Sequence, residues 1–136
     1  MSGHVFFRDR YLGFDDAIYA SARLFEILAH ARRPMSALLS DLPPVVSTPE
    51  IRVDCPDELK FRVVEAVAGI VAPQAREVID VDGIRARFDG GWGLVRASNT
   101  QPVLVLRFEG RDEETVARIR GLVEAAVARA RSAAGA

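Results

Sequence analysis

The sequence has one cysteine, one lysine, two histidines and no long apolar run among its 136 residues. Each scarcity excludes something. A lone Cys55 cannot form an internal disulfide framework and fits a reducing compartment. The longest apolar run, Ala66 to Ala72, is seven residues and contains Gly69. A membrane-spanning helix needs ~20 such residues. The start, MSGHVFFRDR, lacks the basic segment and apolar stretch of a secretory leader, so the expected location is the cytoplasm. Neither sign of charge dominates: 18 Lys+Arg face 19 Asp+Glu, a net charge of −1. A nucleic-acid binder normally carries a basic footprint, so nucleic acid is not expected as a partner, and nothing invokes a membrane surface. Lys60 is the single lysine beside 17 arginines. That reads mainly as genome composition, although arginine is also the better phosphate clamp.

What is present is enough for a core. Hydrophobic residues make up 49% and charged residues 27%, as in a folded domain rather than a disordered tail. A short β-prone run, Val5 to Phe7, leads to a helix from about Asp15, with Asp15 or Asp16 as N-cap. Ile18, Ala22, Phe25 and Leu28, with Leu24, form its apolar stripe. Between Arg32 and Val46 the prolines at 34, 43 and 44 break the periodicity, leaving room for a short helix over Met35 to Leu39.

The remainder is more regular. Val46 to Val53 reads as a strand interrupted at Pro49, hence at a sheet edge. Pro56 suits the first position of a helix with a stripe of Leu59, Val63, Val67, Ile70 and Val71, stopped by Pro73. Arg76–Val81 and Ile84–Phe88 read as strands joined by the hairpin signal Asp82-Gly83. Trp92–Ala97 and Val103–Phe108 follow, around the polar loop Ser98-Asn99-Thr100-Gln101-Pro102. Asp112 caps a last helix with Val116, Ile119, Val123, Ala126, Val127 and Ala130 inward, expected to fray after Arg131. Strand, helix, four meandering strands and helix predict a two-layer α+β domain, its sheet mainly antiparallel with both helices on one face, preceded by an orphan strand and helix.

Candidate chemistry concentrates at Arg96, Ser98, Asn99 and Thr100. A planar guanidinium can take two phosphate oxygens, while hydroxyls, an amide and turn N–H groups supply further donors. On residue chemistry alone such a loop is more often an ordinary hairpin turn. In isolation His4 reads as an unremarkable N-terminal residue, His30 as a structural residue at a helix end, Cys55 as packing, and Trp92 and Phe88 as core aromatics rather than a sugar-stacking platform.

RASNTQP, preceded by GWGLV and followed by VLVLRFEG, resembles the phosphate-binding loop in the C-terminal domain of the α-D-phosphohexomutases, in the form of the bacterial phosphomannomutase/phosphoglucomutase branch. The first 29 residues resemble the tail of that family's third domain, beginning inside its sugar-binding loop. Leu39-Ser40-Asp41-Leu42-Pro43, Thr48-Pro49-Glu50, Cys55 through Phe61, and Asp82-Gly83-Ile84 also fit, in order and spacing. Glucosamine mutases of the superfamily usually carry Gly at the place of Asn99 and Gln at that of Met1, which favours the mannose/glucose branch.

The resemblance implies a TATA-box-binding-protein-like C-terminal domain over residues 46–136, a linker or hinge over 34–45, and the end of the third domain over 1–33. It implies that Arg96, Ser98, Asn99 and Thr100 hold the non-reacting phosphate of a glucose or mannose 1- or 6-phosphate. Ser2 would read sugar hydroxyls, and His4 would serve proton transfer or contact phosphate near the reacting end. The family interconverts hexose 1- and 6-phosphates through a bisphosphorylated sugar, using a phosphoserine, Mg²⁺ and a sugar 1,6-bisphosphate activator. Nothing in these residues resembles the phosphoserine or metal loops, and the Glu expected two residues before Ser2 falls before the start of the sequence. The chain is therefore expected to bind no metal, to depend on the missing N-terminal domains as partners, and to be inactive alone. A free-standing, non-catalytic phosphosugar-binding or interaction module is the alternative.

Overall fold

The computed structural model describes residues 3–135, and these divide between two compact units, Met1–Pro43 and Pro44–Ala136. In the first unit the helix α1 spans Ala17–Ala31. Its N-cap is Asp16, whose Oδ1 accepts the Ile18 and Tyr19 amides at 2.9 Å each. Those are two of the donors a helix start leaves unpaired. Tyr11 donates its hydroxyl to Asp16 Oδ2 at 2.6 Å and stacks on Tyr19 at 4.1 Å, with Phe7 edge-on to Tyr19 at 5.4 Å. The Tyr11 hydroxyl, seconded by the Tyr19 amide, holds the Asp16 carboxyl below the usual carboxylate range.

Two expectations for this unit change, those for Val5–Phe7 and for the helix between the prolines. The Val5–Phe7 run forms no strand; its β contact among the described residues is an isolated antiparallel bridge from Phe6 to Asp15. The apolar stripe of α1 is uncovered within the unit: Ile18 is 85% exposed and Phe25 68%, and no residue of the helix is buried. Between the prolines the helix is a single 3₁₀ turn, Met35–Ala37, shorter than the pattern suggested.

The second unit is a six-stranded antiparallel sheet with two helices. Its strands are β1 (Val46–Ser47), β2 (Ile51–Asp54), β3 (Glu77–Ile79), β4 (Ile84–Phe88), β5 (Gly91–Ala97) and β6 (Val103–Gly110). The order across the sheet is β1-β6-β5-β4-β3, with β2 also pairing with β6 beyond the Pro49 interruption. Thus β3 to β6 meander, and the broken first strand returns to the edge beside the last.

Helices α2 (Lys60–Val71) and α3 (Glu113–Ala134) pack on each other and on one face of the sheet, α2 over β4 and β5 and α3 over β5 and β6. They cover the face that carries Ile84, Ala86 and Phe88 of β4, Val95 and Ala97 of β5, and Leu104, Leu106 and Phe108 of β6. Val63, Val67, Val71, Ile119 and Val123 meet them from the helices, each no more than 1% exposed. At roughly 1.5–3 kcal/mol per buried aliphatic or aromatic side chain, this layer is the main source of the fold's stability.

Several boundaries move. Pro56 does not begin α2; Asp57–Leu59 wind as a tight turn in which the Leu59 and Lys60 amides both reach the Pro56 carbonyl at 3.0 Å, so the helix starts four residues later. β3 ends at Ile79, paired with Arg85, so the loop into β4 is longer than Asp82-Gly83 alone. α3 does not fray after Arg131. It continues to Ala134, where the left-handed Gly135 returns its N–H to the Arg131 and Ser132 carbonyls. Asp112 caps its start, accepting the Thr115 amide at 2.7 Å. Among the described residues no helix is long and apolar enough to cross a membrane.

Candidate functional site

Alternation along β5 decides which way its arginine points. Val95 and Ala97 turn inward to the helices, so Arg96 projects from the opposite face, with its side chain 40% exposed. The five residues after Ala97 form the β5–β6 hairpin loop, closed by Ser98 N–H to the Val103 carbonyl at 3.0 Å and Val103 N–H to the Gln101 carbonyl at 2.8 Å. Inside it Ser98 Oγ accepts the Thr100 amide at 3.3 Å and the Gln101 amide at 3.2 Å. A hydroxyl has two acceptor lone pairs and one proton. With both lone pairs taken by the loop's own amides, the Ser98 proton is left for a further acceptor. Thr100 and Asn99 sit beside it on the exposed tip.

The loop is braced from behind. Lys60, only 5% exposed at the start of α2, donates to the carbonyls of Ser98 and Gln101 and to Asp57 Oδ1. Cys55 N–H reaches the Pro102 carbonyl at 2.8 Å, and Arg52 on β2 donates to Gln101 Oε1 at 3.0 Å. On the other flank Asp82 Oδ2 stands 3.5 Å from an Arg96 guanidinium nitrogen. Gly83 lies so close to β5 that a Cβ there would fall 2.5 Å from the Val95 carbonyl oxygen. A cleft of about 260 Å³ opens between Phe61, Ile84, Asn99 and the carboxylates of Glu65, Asp80 and Asp82. The hairpin gathers one guanidinium, two hydroxyls and an amide, with Asp82 facing Arg96 and with Glu65 and Asp80 also lining the cleft, to which the loop contributes Asn99. The hairpin's donor set suits a compact anion.

Arg96, Ser98, Asn99 and Thr100 are thus brought together by one hairpin. His4 belongs to the other unit. There its Nε2 faces Asp15 Oδ2 at 3.3 Å, in a cleft of about 750 Å³ with Ala17, Ala20 and Leu24. Ser2 lies outside the described residues. His30 Nδ1 donates to the Glu26 carbonyl within α1 at 2.7 Å. Cys55 is 1% exposed, and burial pushes its thiol above the usual range.

Phe88 is a core aromatic, but Trp92 is not. It has the parity of Arg96, lies on the sheet face away from the helices, and donates Nε1–H to Glu109 at 3.1 Å, with the Arg85 guanidinium 4.6 Å above its ring. Residue-by-residue reasoning also missed Lys60 and Asp82. The signal for Lys60 was in the composition: a lone lysine in an arginine-rich chain.

Residues 50–126 match the phosphoglucomutase/phosphomannomutase C-terminal domain, and residues 1–46 match the alpha/beta/alpha domain III of the same proteins. The chain belongs to this family. It is 48% identical over 120 residues to a phosphomannomutase/phosphoglucomutase of Pseudomonas aeruginosa, covering 88% of this chain and 26% of that protein. It is 45% identical over 129 residues to a phosphoglucomutase of Neisseria gonorrhoeae, covering 93% and 28%. A crystal structure of a phosphoglucomutase/phosphomannomutase family protein from Burkholderia thailandensis superposes with a TM-score of 0.82 at 44% identity, over 96% of this chain and 27% of that one. The chain spans about a quarter of the length of these family members, the C-terminal domain and part of domain III.

Proposed function

We propose that the β5–β6 hairpin holds the phosphate of a glucose or mannose phosphate, as the C-terminal part of a mutase that interconverts hexose 1- and 6-phosphates through a bisphosphorylated sugar. The observation that carries this is the Ser98 hydroxyl, whose oxygen accepts two amides of its own loop and leaves its proton for another acceptor, in the same hairpin as the Arg96 guanidinium. Arg96 takes two phosphate oxygens as a fork; Ser98, Asn99 and Thr100 supply the shorter donors around it. A substrate that must react from either end presents its idle phosphate in two sugar orientations. A clamp built of phosphate donors, with no group committed to the sugar ring, accepts both.

In the other unit His4, oriented by Asp15, is proposed to move a proton or meet phosphate near the reacting end, and Ser2 to read sugar hydroxyls. The stretch 34–45 is proposed as the hinge that lets one part close over the substrate. The described residues hold no cluster of three His, Cys, Asp or Glu side chains fit for a metal. The Mg²⁺ and the phosphoserine of the reaction are proposed to belong to the domains of such a mutase that this chain, about a quarter of its relatives' length, does not span.

Amide NMR of the 136-residue chain titrated with glucose 6-phosphate tests the site. The resonances of Ala97 to Gln101 should shift first, and Arg96→Ala should weaken binding about ten-fold or more, the loss of one charge-assisted contact. An unmoved hairpin, or an R96A variant that binds equally well, removes the assignment.

A further inference from the structure

Lys60 breaks two local rules together. It occupies the first position of α2, where the helix dipole disfavours a cation. It is also one of only two buried polar side chains among the described residues, and burying an ammonium is costly unless its donors are met. A chain that uses arginine at its 17 other basic positions keeps lysine here. The geometry gives the reason. Three acceptors surround Nζ: Asp57 Oδ1 at 2.7 Å, the Ser98 carbonyl close by, and the Gln101 carbonyl at 3.4 Å. A compact ammonium can spread its donors over three directions, whereas the flat fork of arginine holds them in one plane.

We propose that Lys60 is the positioning residue of the phosphate hairpin. Its ammonium gathers the carbonyls at both ends of the loop, Ser98 and Gln101, on the inner side. Two carbonyl oxygens converging on one point would otherwise repel. Holding them there keeps the Ser98 hydroxyl and the tip residues Asn99 and Thr100 on the outer side. All three Lys60 donors are taken, so it does not bind phosphate itself; it acts through the loop. Asp57, which is 66% exposed, supplies the one carboxylate partner of the buried ammonium. The proposal rests on the reading of this hairpin as the phosphate site.

The single lysine makes the test direct. Labelling with ¹⁵N-lysine gives one side-chain ammonium signal, that of Lys60. In the wild type it should exchange slowly with water and shift when glucose 6-phosphate is added. Lys60→Met should weaken glucose 6-phosphate binding about ten-fold while the core methyl resonances of Val63, Val67 and Val123 stay in place. Lys60→Arg should recover only part of that loss. If K60M keeps its core resonances and binds as the wild type does, the proposal is overturned. If K60M loses its core resonances, the wild-type ammonium decides: exchange as fast as in free lysine overturns the proposal, while slow exchange with a ligand-dependent shift upholds it. A wild-type hairpin silent toward the sugar phosphate overturns the site itself, an outcome separate from one in which the wild type binds and K60M binds equally well.

Discussion

Replacing Gly83 by alanine should damage the domain and its candidate site together. Gly83 sits at φ +79°, a left-handed conformation that costs a non-glycine residue ~1–2 kcal/mol. The added Cβ would also stand 2.5 Å from the Val95 carbonyl oxygen and 2.6 Å from Arg96 Cβ. Overpacking of that kind costs about 1–3 kcal/mol where the surroundings cannot yield. Here they can yield on one side: Val81 is 90% exposed, so the β3–β4 loop is free to lift outward from β5. The loss of stability should then fall near the lower end of the sum, about 2–3 kcal/mol. With a urea m-value of ~1–3 kcal/mol/M, the midpoint should drop by roughly 1–2 M. Lifting the loop also withdraws Asp82 from Arg96, so the Arg96 side chain should become more mobile. Gly69 is the control. It lies inside α2 with nothing within 4 Å of its would-be Cβ, so Gly69→Ala should stabilise the helix by about 0.5–1 kcal/mol. A G83A midpoint unchanged or raised, as for G69A, would refute the reasoning.

Asp82→Asn should tighten glucose 6-phosphate binding about three-fold, since a carboxylate 3.5 Å from the clamping guanidinium repels an incoming phosphate; weaker binding by NMR titration would show instead that Asp82 orients Arg96. The Asp112 carboxyl is held below the usual range by its hydrogen bonds with Thr115. Its folded value is lower than its unfolded one, so its contribution is complete above the unfolded value and disappears as pH falls through the folded value. Asp112→Ala should therefore lower the urea midpoint at neutral pH and lower it less in acid; a pH-independent difference would contradict the cap. Buried Cys55, its thiol pushed up by desolvation, should react with iodoacetamide only as the domain unfolds, and fast labelling of the native chain by mass spectrometry would overturn that.

The elements with strong periodicity were legible from sequence because one physical variable, inward or outward, set them. β4 came out at its predicted limits, and every residue in the predicted stripe of α3 is buried. The misses occur where several local preferences competed. Pro56 was a good helix start by its fixed φ, yet the tight turn after it delayed α2 to Lys60. Trp92 reads as a core aromatic, yet its parity with Arg96 puts it on the other face. The stripe of α1 showed a helix correctly but not what covers it, since a periodic pattern names a buried face without naming the neighbour. Within the candidate site, Arg96 and the hydroxyls were visible as motif residues. Lys60 was not, because what it grips is backbone carbonyl, which every residue has and no sequence pattern marks.

That last point bears on how the site is built. Three braces reach the hairpin from one short segment: Arg52 to the Gln101 side chain, Cys55 N–H to the Pro102 carbonyl, and Lys60 to the Ser98 and Gln101 carbonyls. That segment runs from the end of β2 into α2, and β2 is held to the sheet only through β6, where Asp54 pairs with Val103 at the foot of the same hairpin. The loop therefore does not take its shape from the β5–β6 turn alone. It takes it from a strand that joins the sheet late in space though early in sequence, together with the first turn of the helix that follows. A long-range pairing of this kind carries a loop-closure cost that a simple hairpin avoids. In return the donors are set by backbone contacts that a surface substitution at Asn99 or Thr100 does not disturb. Chemistry at the tip is thus free to vary while the frame stays fixed. One of the three braces of that frame is an ammonium, at a position where the local preferences of the helix oppose it.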